Sequence, residues 1–266
     1  MQTQIFYFTG TGTSLYISRE IKERLGQAEL IPLVSLLKNA QPCHIQAPRI
    51  GLVFPVYFLG IPPVVRQALE KMIFNPQTYV FAALPNGGDA GNTLRQLDHL
   101  LRKKGGRLHF GLDLALGDNS IVYHTSDTQL KQRIIAAGSG LESLVGAVEQ
   151  HQTNSFDSPF DQRFKSEAMR WITFLAMTHY YRFNRQKVDG TRCSTCGLCA
   201  RVCPVDNIQI KQGRVTFGSD CRWCFACLND CPHQAIIFGK IQPTRDTRFH
   251  FPGISPAEVA AQKKPA

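Results

Sequence analysis

The 266-residue sequence is poor in charge, at 19% Asp, Glu, Lys and Arg, and its mean hydropathy is −0.16. It lacks any apolar run near the ~20 residues that cross a bilayer, which excludes an integral helical membrane protein. The opening residues MQTQIFYFTGTG carry no basic segment and no extended apolar one. No secretory signal is read there, so a cytoplasmic location is expected. A basic cluster is missing too. The net charge of +10 is spread as +3 over 1–150, +2 over 151–190, +3 over 191–240 and +2 over 241–266. No stretch stands out as a nucleic-acid patch, and an evenly basic surface suits acidic proteins better. No acid–base constellation is apparent, so no catalytic residue is nominated. His109, His124 and His179 read as packed or exposed side chains.

What the sequence does hold is nine cysteines, eight of them between 193 and 231. They form two runs: Cys193-x-x-Cys196-x-x-Cys199-x-x-x-Cys203-Pro204 and Cys221-x-x-Cys224-x-x-Cys227-x-x-x-Cys231-Pro232. An apolar, strand-like tail follows each, Ile208-Gln209-Ile210 and Ile236-Ile237-Phe238. This is an internal duplication of a small metal-binding unit. Three cysteines spaced this way wrap one side of an iron–sulfur cubane, and the fourth cysteine of each run ligates the other cluster. One [4Fe–4S] cluster is expected on Cys193, Cys196, Cys199 and Cys231, the other on Cys221, Cys224, Cys227 and Cys203. Pro204 and Pro232 turn the chain away, and Gly197 leaves room for backbone amides near the sulfurs. Zinc is the alternative, but its four ligands commonly come as paired CxxC, which leaves a third close cysteine idle in each run. Disulfides conflict with a reducing compartment. From Val188 to Lys240 the chain resembles the bacterial two-cluster ferredoxins, with all eight ligand positions matched. It departs from many of them in being basic rather than acidic.

The first 150 residues alternate between strand and helix. Strands are expected at Ile5–Phe8, Glu29–Ile31, Ile50–Phe54, Tyr79–Ala83 and Leu108–Leu114. Helices are expected at Leu15–Leu25, Val64–Met72, Asn92–Lys104 and Gln129–Gln150. The pattern calls for an α/β fold with a doubly wound, five-stranded parallel sheet, which binds ligands beyond the C-terminal ends of its strands. Three loops fall at that edge. Thr9-Gly10-Thr11-Gly12-Thr13-Ser14 offers backbone N–H groups and four hydroxyls to an anion. It has no lysine, so it is not a Walker A loop, and Leu15 stands where a GxGxxG fingerprint needs glycine. It suits a phosphomonoester; the plainer reading is a Thr/Ser-capped helix after a tight turn. Pro55-Val56-Tyr57-Phe58 supplies an aromatic face. Asn86, Gly87 and Gly88, within the Pro85–Gly91 loop, let backbone approach ring edges. Together they describe a flavin mononucleotide site.

This half, residues 3–150, resembles flavodoxin. The resemblance maps the family's phosphate loop onto Thr9–Ser14 and its ring-flanking aromatics onto the Tyr57 region. The 85–91 loop has no aromatic, which implies an open ring face. The order of the two halves resembles a flavodoxin–ferredoxin fusion family, the EFR-type ferrodoxins. Four parts are expected: a flavodoxin-like FMN-binding domain at 1–150, a linker and interdomain helix at 151–187, an α+β two-cluster ferredoxin domain at 188–240, and a mobile tail at 241–266. The helix over Arg163–Arg185 is expected to bury Trp171, Phe174 and Leu175 between the domains. Docking of that helix on anionic lipid is disfavoured because apolar residues appear around much of it. Cys43, beside Pro42 and His44, reads as a surface-loop thiol without redox activity.

The expected function is electron transfer between FMN and two [4Fe–4S] clusters, with acidic carriers such as ferredoxin or flavodoxin as partners. The alternative is a flavin-dependent reductase of a small molecule, such as a quinone, a nitro compound or a porphyrin-like substrate.

Overall fold

The computed structural model describes residues 2–39, 41–120, 123–157, 160–182, 185–241, 244 and 246–264, apart from the Gln162 side chain. The N-terminal part runs β1 (Thr3–Tyr7), α1 (Thr13–Leu25), β2 (Ala28–Pro32), α2 (Ser35–Lys38), β3 (Cys43–His44), β4 (Arg49–Val53), α3 (Pro63–Glu70), β5 (Met72–Ile73), β6 (Tyr79–Asn86), α4 (Thr93–Arg102), β7 (Phe110–Ala115) and α5 (Asp127–Glu149). Five strands form one parallel sheet in the order β2-β1-β4-β6-β7. Renumbered along the chain this is 2-1-3-4-5, the flavodoxin-like order, with its switch point beside β1. β3 and β5 make a separate two-residue parallel pair.

The central strands β4 and β6 are buried at every residue, as their continuous apolar sequences require when both sheet faces are covered. Alternate residues face opposite layers. Phe6, Phe8, Leu52, Phe54, Val80 and Ala82 pack with α3 and α4, through Val64, Leu69, Leu97 and Leu101. Ile5, Tyr7, Val53, Phe81 and Ala83 pack with α1 and α5, through Ile17, Ile21, Leu141 and Leu144. Pro63 opens α3 at its first turn, where its missing N–H costs nothing. Cys43 lies in β3, half-buried, with burial pushing its thiol pKa up rather than activating it.

The C-terminal part runs α6 (Phe160–Leu175), a π-helical turn (Ala176–Tyr180), β8 (Gln186–Val188), α7 (Leu198–Val202), β9 (Ile208–Lys211), β10 (Arg214–Phe217), α8 (Ala226–Asn229), β11 (Ile236–Phe238) and α9 (Pro256–Ala261). β8 pairs antiparallel with β11, and β9 with β10. This module is not separated from the first by a polar gap: Val202, Ile208, Phe225, Leu228, Ile236 and Phe238 belong to the same apolar cluster as Phe8, Phe54 and Val65.

Two expectations are corrected. Within the expected tail of 241–266, whose residues 242, 243, 245, 265 and 266 lie outside the described ones, residues 249–262 are not free. Phe249, Phe251, Ile254 and Val259 are buried against the α1/α5 layer, and α9 opens with a capping box of Ser255 and Glu258. Gln262 is fully buried; its amide nitrogen donates to the Thr9 carbonyl at 2.8 Å and its carbonyl oxygen accepts from Thr9 N at 3.3 Å. Pro and Lys content suggested mobility, but four spaced apolar side chains decide the matter. Truncating Gln262 to Ala orphans a buried donor and a buried acceptor, each worth ~1–3 kcal/mol. Thermal unfolding of Gln262→Ala is expected to show a loss of about 2 kcal/mol; an unchanged midpoint contradicts the clasp. Second, the expected helix over 163–185 starts earlier and ends in the π turn, and it does not bury Trp171 and Leu175. They are 55% and 49% exposed, while Phe174 is half-buried.

Candidate functional site

The duplication seen in the cysteines is repeated in the backbone. Thr195 and Trp223, at equivalent positions, both have φ of 53°, and Asp206 and Gln234 have 53° and 52°. Gly197 and Phe225, which cap α7 and α8, are both left-handed, with φ of 78° and 55°. Glycine takes this conformation freely; a phenylalanine there is strained by about 1 kcal/mol or more. Burial offsets the strain, since Phe225 is 5% exposed and its ring meets Phe238 edge-on at 5.1 Å.

These turns gather the thiols into two sets. Cys193, Cys196, Cys199 and Cys231 surround one small cavity, together with Gly197 and Pro232. Cys203, Cys221, Cys224 and Cys227 surround another. Each set takes three cysteines from one run and the fourth from the other. The remote cysteines are held alike: Asn207 N donates to Cys203 Sγ and Ala235 N to Cys231 Sγ, both at 3.3 Å. Among the described residues, no three His, Cys, Asp or Glu side chains are arranged to hold a metal ion.

Burial differs between the sets. Cys196 is exposed and Cys193 half-buried, whereas Cys224 and Cys227 are buried. Burial pushes the Cys224 and Cys227 thiols far up and Cys221 up to about 11, with neighbouring cysteines adding to the effect. Thiols raised in this way stay neutral unless a cation lies among them. Arg248 lies beside both sets: its charge is felt at Cys231 and Cys227, burial lowers its pKa, and it donates to the Leu228 carbonyl.

The second feature is a cavity of about 770 Å³ at the C-terminal edge of the sheet. Thr9, Gly10, Thr11, Thr13, Ser14, Pro55, Val56, Tyr57, Phe58, Asn86, Gly87 and Gly88 all line it, so the three expected loops do converge. Gly12 caps α1 with φ of 97° and lies outside the lining, its α-carbon face packed on Phe251 and Ile254. Its N–H donates to Thr9 Oγ1 at 3.0 Å, which shapes the loop. Among the described residues no side chain caps the start of α1, and its first turn has no acidic residue. The end of the helix is therefore open to an anion. Among the described residues, Ser14 Oγ and Ser120 Oγ are buried on the lining without a hydrogen-bond partner. Burial and the nearby Cys224 hold the Tyr57 hydroxyl well above its usual pKa, against a lowering by the Asn119 amide. Unpaired buried hydroxyls around a cleft are what a polar ligand satisfies.

Several lining residues were not read from the sequence. Gly117, Asp118, Asn119 and Ser120 follow β7, and the strand-edge rule alone could have found them. Arg133 of α5 reaches back to the carbonyls of Gly87 (3.0 Å) and Leu116, fixing both loops. Met169, Ile172, Thr173 and Met177 from the α6 region, with Trp223 and Phe225 from the second cysteine run, complete the walls. Among the expected non-catalytic histidines, His109 stacks on Tyr79 at 4.8 Å and accepts from Val80 N, His179 is exposed, and His124 lies on the cavity rim.

The cavity and the buried thiol set share a wall. Phe225 lines both. A Cβ on Gly10 would lie 2.7 Å from the Cys224 carbonyl oxygen and 2.9 Å from Tyr57 Oη. Trp223, between Cys221 and Cys224, meets Phe58 edge-on at 5.7 Å.

Residues 187–209 match the family model described as a 4Fe-4S binding domain. No curated protein matches the chain. Solved structures similar to it include an FMN-dependent NADH-azoreductase from Bacillus anthracis (10% identity, 55% of this chain and 100% of that one, TM-score 0.38). A flavodoxin from the domain Archaea is also similar (13% identity, 55% and 99%, TM-score 0.32). So is the rubredoxin oxygen:oxidoreductase of Desulfovibrio gigas (15% identity, 56% and 36%, TM-score 0.34). At such identities and scores the fold assignment rests on the strand order itself.

Proposed function

We propose that the chain is an iron–sulfur flavoprotein that moves electrons between two [4Fe–4S] clusters and an FMN, linking one-electron carriers to a flavin. The observation that carries this is the shared wall: the buried thiol set abuts the hydroxyl loop through Gly10, Cys224 and Phe225. When bound, clusters exchange single electrons and a flavin exchanges one or two. The chain's own residues do the positioning. Thr9, Thr11, Thr13, Ser14 and the start of α1 hold the phosphate. Tyr57, Phe58 and Trp223 give apolar walls, and the 86–88 backbone meets the ring edge. Asn207 and Ala235 donate to sulfur, which tunes the clusters.

The exposed thiol set faces solvent among cations. Arg201 donates to the Cys196 carbonyl at 3.0 Å, and Arg192 lies close to Cys193 in the chain. Lys211 and Arg214, at the β9–β10 hairpin, are also exposed. This is the face on which an acidic ferredoxin or flavodoxin docks, at a rate that falls as salt rises. The test is oxygen-free reconstitution with iron, sulfide and flavin. About eight irons and one FMN per chain are expected; a colourless, zinc-loaded protein without flavin overturns the reading. A second reading, a reductase of a small apolar molecule, is favoured by the lining Met169, Ile172 and Met177. It requires turnover of a quinone or nitro compound by the reduced holoprotein.

A further inference from the structure

α6 is amphipathic in the wrong sense for a water-facing helix. Its inner face is held by polar contacts: Asn92 N donates to Ser166 Oγ (3.2 Å), Asn92 Nδ2 to the Arg163 carbonyl (3.2 Å), and Gln96 Nε2 to Glu167 Oε1 (3.0 Å). Its outer face is apolar. Phe160, Phe164, Trp171, Ile172 and Leu175 recur at helical spacing as one stripe and are 74%, 67%, 55%, 60% and 49% exposed. In the sequence these residues looked scattered around the helix. The structure sorts them, because Ser166, Glu167 and the half-buried Phe174 turn inward.

Cations accompany the stripe. The Arg163 guanidinium lies over Phe160 (5.8 Å), Arg170 over Trp171 (5.1 Å) and the Lys240 ammonium over Tyr180 (4.6 Å). Two of the helix's own cations are paired, Lys165 with Asp161 (3.8 Å) and Arg170 with Glu167 (2.8 Å), while Arg182, Arg185 and Lys187 are exposed beyond its C-terminal end. Exposed aromatics and aliphatics with long basic side chains beside them are the composition that lies in a bilayer interface, apolar face down and cations at the headgroups. No helix among the described residues is long and apolar enough to cross a membrane, so contact is with the surface.

We propose that α6 docks the protein on an anionic bilayer surface through this stripe. The charge complementarity selects the occupant: the exposed Arg182, Arg185 and Lys187 at the end of the stripe oppose anionic headgroups, and a lipid surface makes no demand for a shaped partner. Met169 and Ile172 line the 770 Å³ cavity and are themselves exposed, so docking brings the cavity mouth to the membrane. The proposal stands without the flavin assignment.

The test is co-sedimentation of the full chain, with clusters reconstituted, on vesicles of phosphatidylcholine with about a third phosphatidylglycerol, and on phosphatidylcholine alone. Binding is expected to the anionic vesicles at low salt and to weaken as salt rises. Phe164→Glu and Trp171→Glu are each expected to weaken it at least tenfold, with cluster absorbance unchanged because both side chains are exposed. Arg185→Gln combined with Lys187→Gln is expected to weaken it roughly fivefold per charge. No binding at low salt overturns the proposal, as does equal binding to both vesicle types. A vesicle-free dimer in sedimentation equilibrium that Phe164→Glu dissociates also overturns it, since a second copy then covers the stripe.

Discussion

Replacing Cys231 by Ala is expected to abolish the same cluster as Cys193→Ala, although the two lie in different runs. Cys203→Ala is expected to abolish the same cluster as Cys221→Ala. The reason is the pairing of cavity walls, in which each fourth thiol joins the opposite run. Iron content then falls from about eight to about four per chain in each variant. The two classes are told apart by which paramagnetic signal disappears on reduction. If Cys231→Ala instead matches Cys221→Ala, the crossed arrangement is wrong. The classes also differ in their effect on the sheet edge. Losing the exposed set leaves the large cavity intact. Losing the buried set loosens the Cys221–Cys227 loop that carries Trp223 and Phe225 into the cavity wall, so flavin affinity falls with it.

The second large effect concerns Gly10. Its Cβ position lies 2.7 Å from the Cys224 carbonyl oxygen, and backbone cannot swing aside as a flexible side chain can. Gly10→Ala forces the hydroxyl loop and the cysteine loop apart. Overpacking of this kind costs ~1–3 kcal/mol. FMN affinity is expected to fall at least tenfold, which corresponds to about 1.4 kcal/mol, measured by flavin fluorescence titration. Gly138→Ala is the control. That position lies in α5 with nothing within 4 Å of the added carbon, so binding is expected to stay unchanged. Wild-type affinity in Gly10→Ala would show that the loop does not hold the phosphate, or that the two modules part without cost.

The core strands were legible for a simple reason. Ile50–Phe54 and Tyr79–Ala83 are continuous apolar runs, as a strand buried on both faces must be, and the structure gives β4 at Arg49–Val53 and β6 at Tyr79–Asn86. β6 runs past the expected end because Leu84–Asn86 pairs with Asp113–Ala115, and Pro85 had suggested a turn. The 9–14, 55–58 and 86–88 loops were found because a parallel sheet delivers them to one edge. The 117–120 loop, Gly-Asp-Asn-Ser, reads as an ordinary turn, and only its place after β7 at the same edge marks it as part of the site. Trp171 and Leu175 were misplaced indoors because an apolar residue in a helix is read as buried until its face is known.

Cysteine spacing is a local property. The turns that bring three thiols to one centre need only the residues between them, so the sequence alone determines the two triads. The alternation of apolar strands with helices likewise determines the parallel sheet and the edge where its loops meet. What joins the parts is different in kind. The contact of Gly10 with Cys224, the grip of Gln262 on Thr9 and the outward turn of the α6 stripe all link residues far apart in the chain. No periodicity encodes such contacts, because each depends on how two already formed surfaces fit. Only the tertiary structure decided that the thiol module shares a wall with the sheet-edge cavity, and that residues 249–262 close over the loop near the other end of the chain.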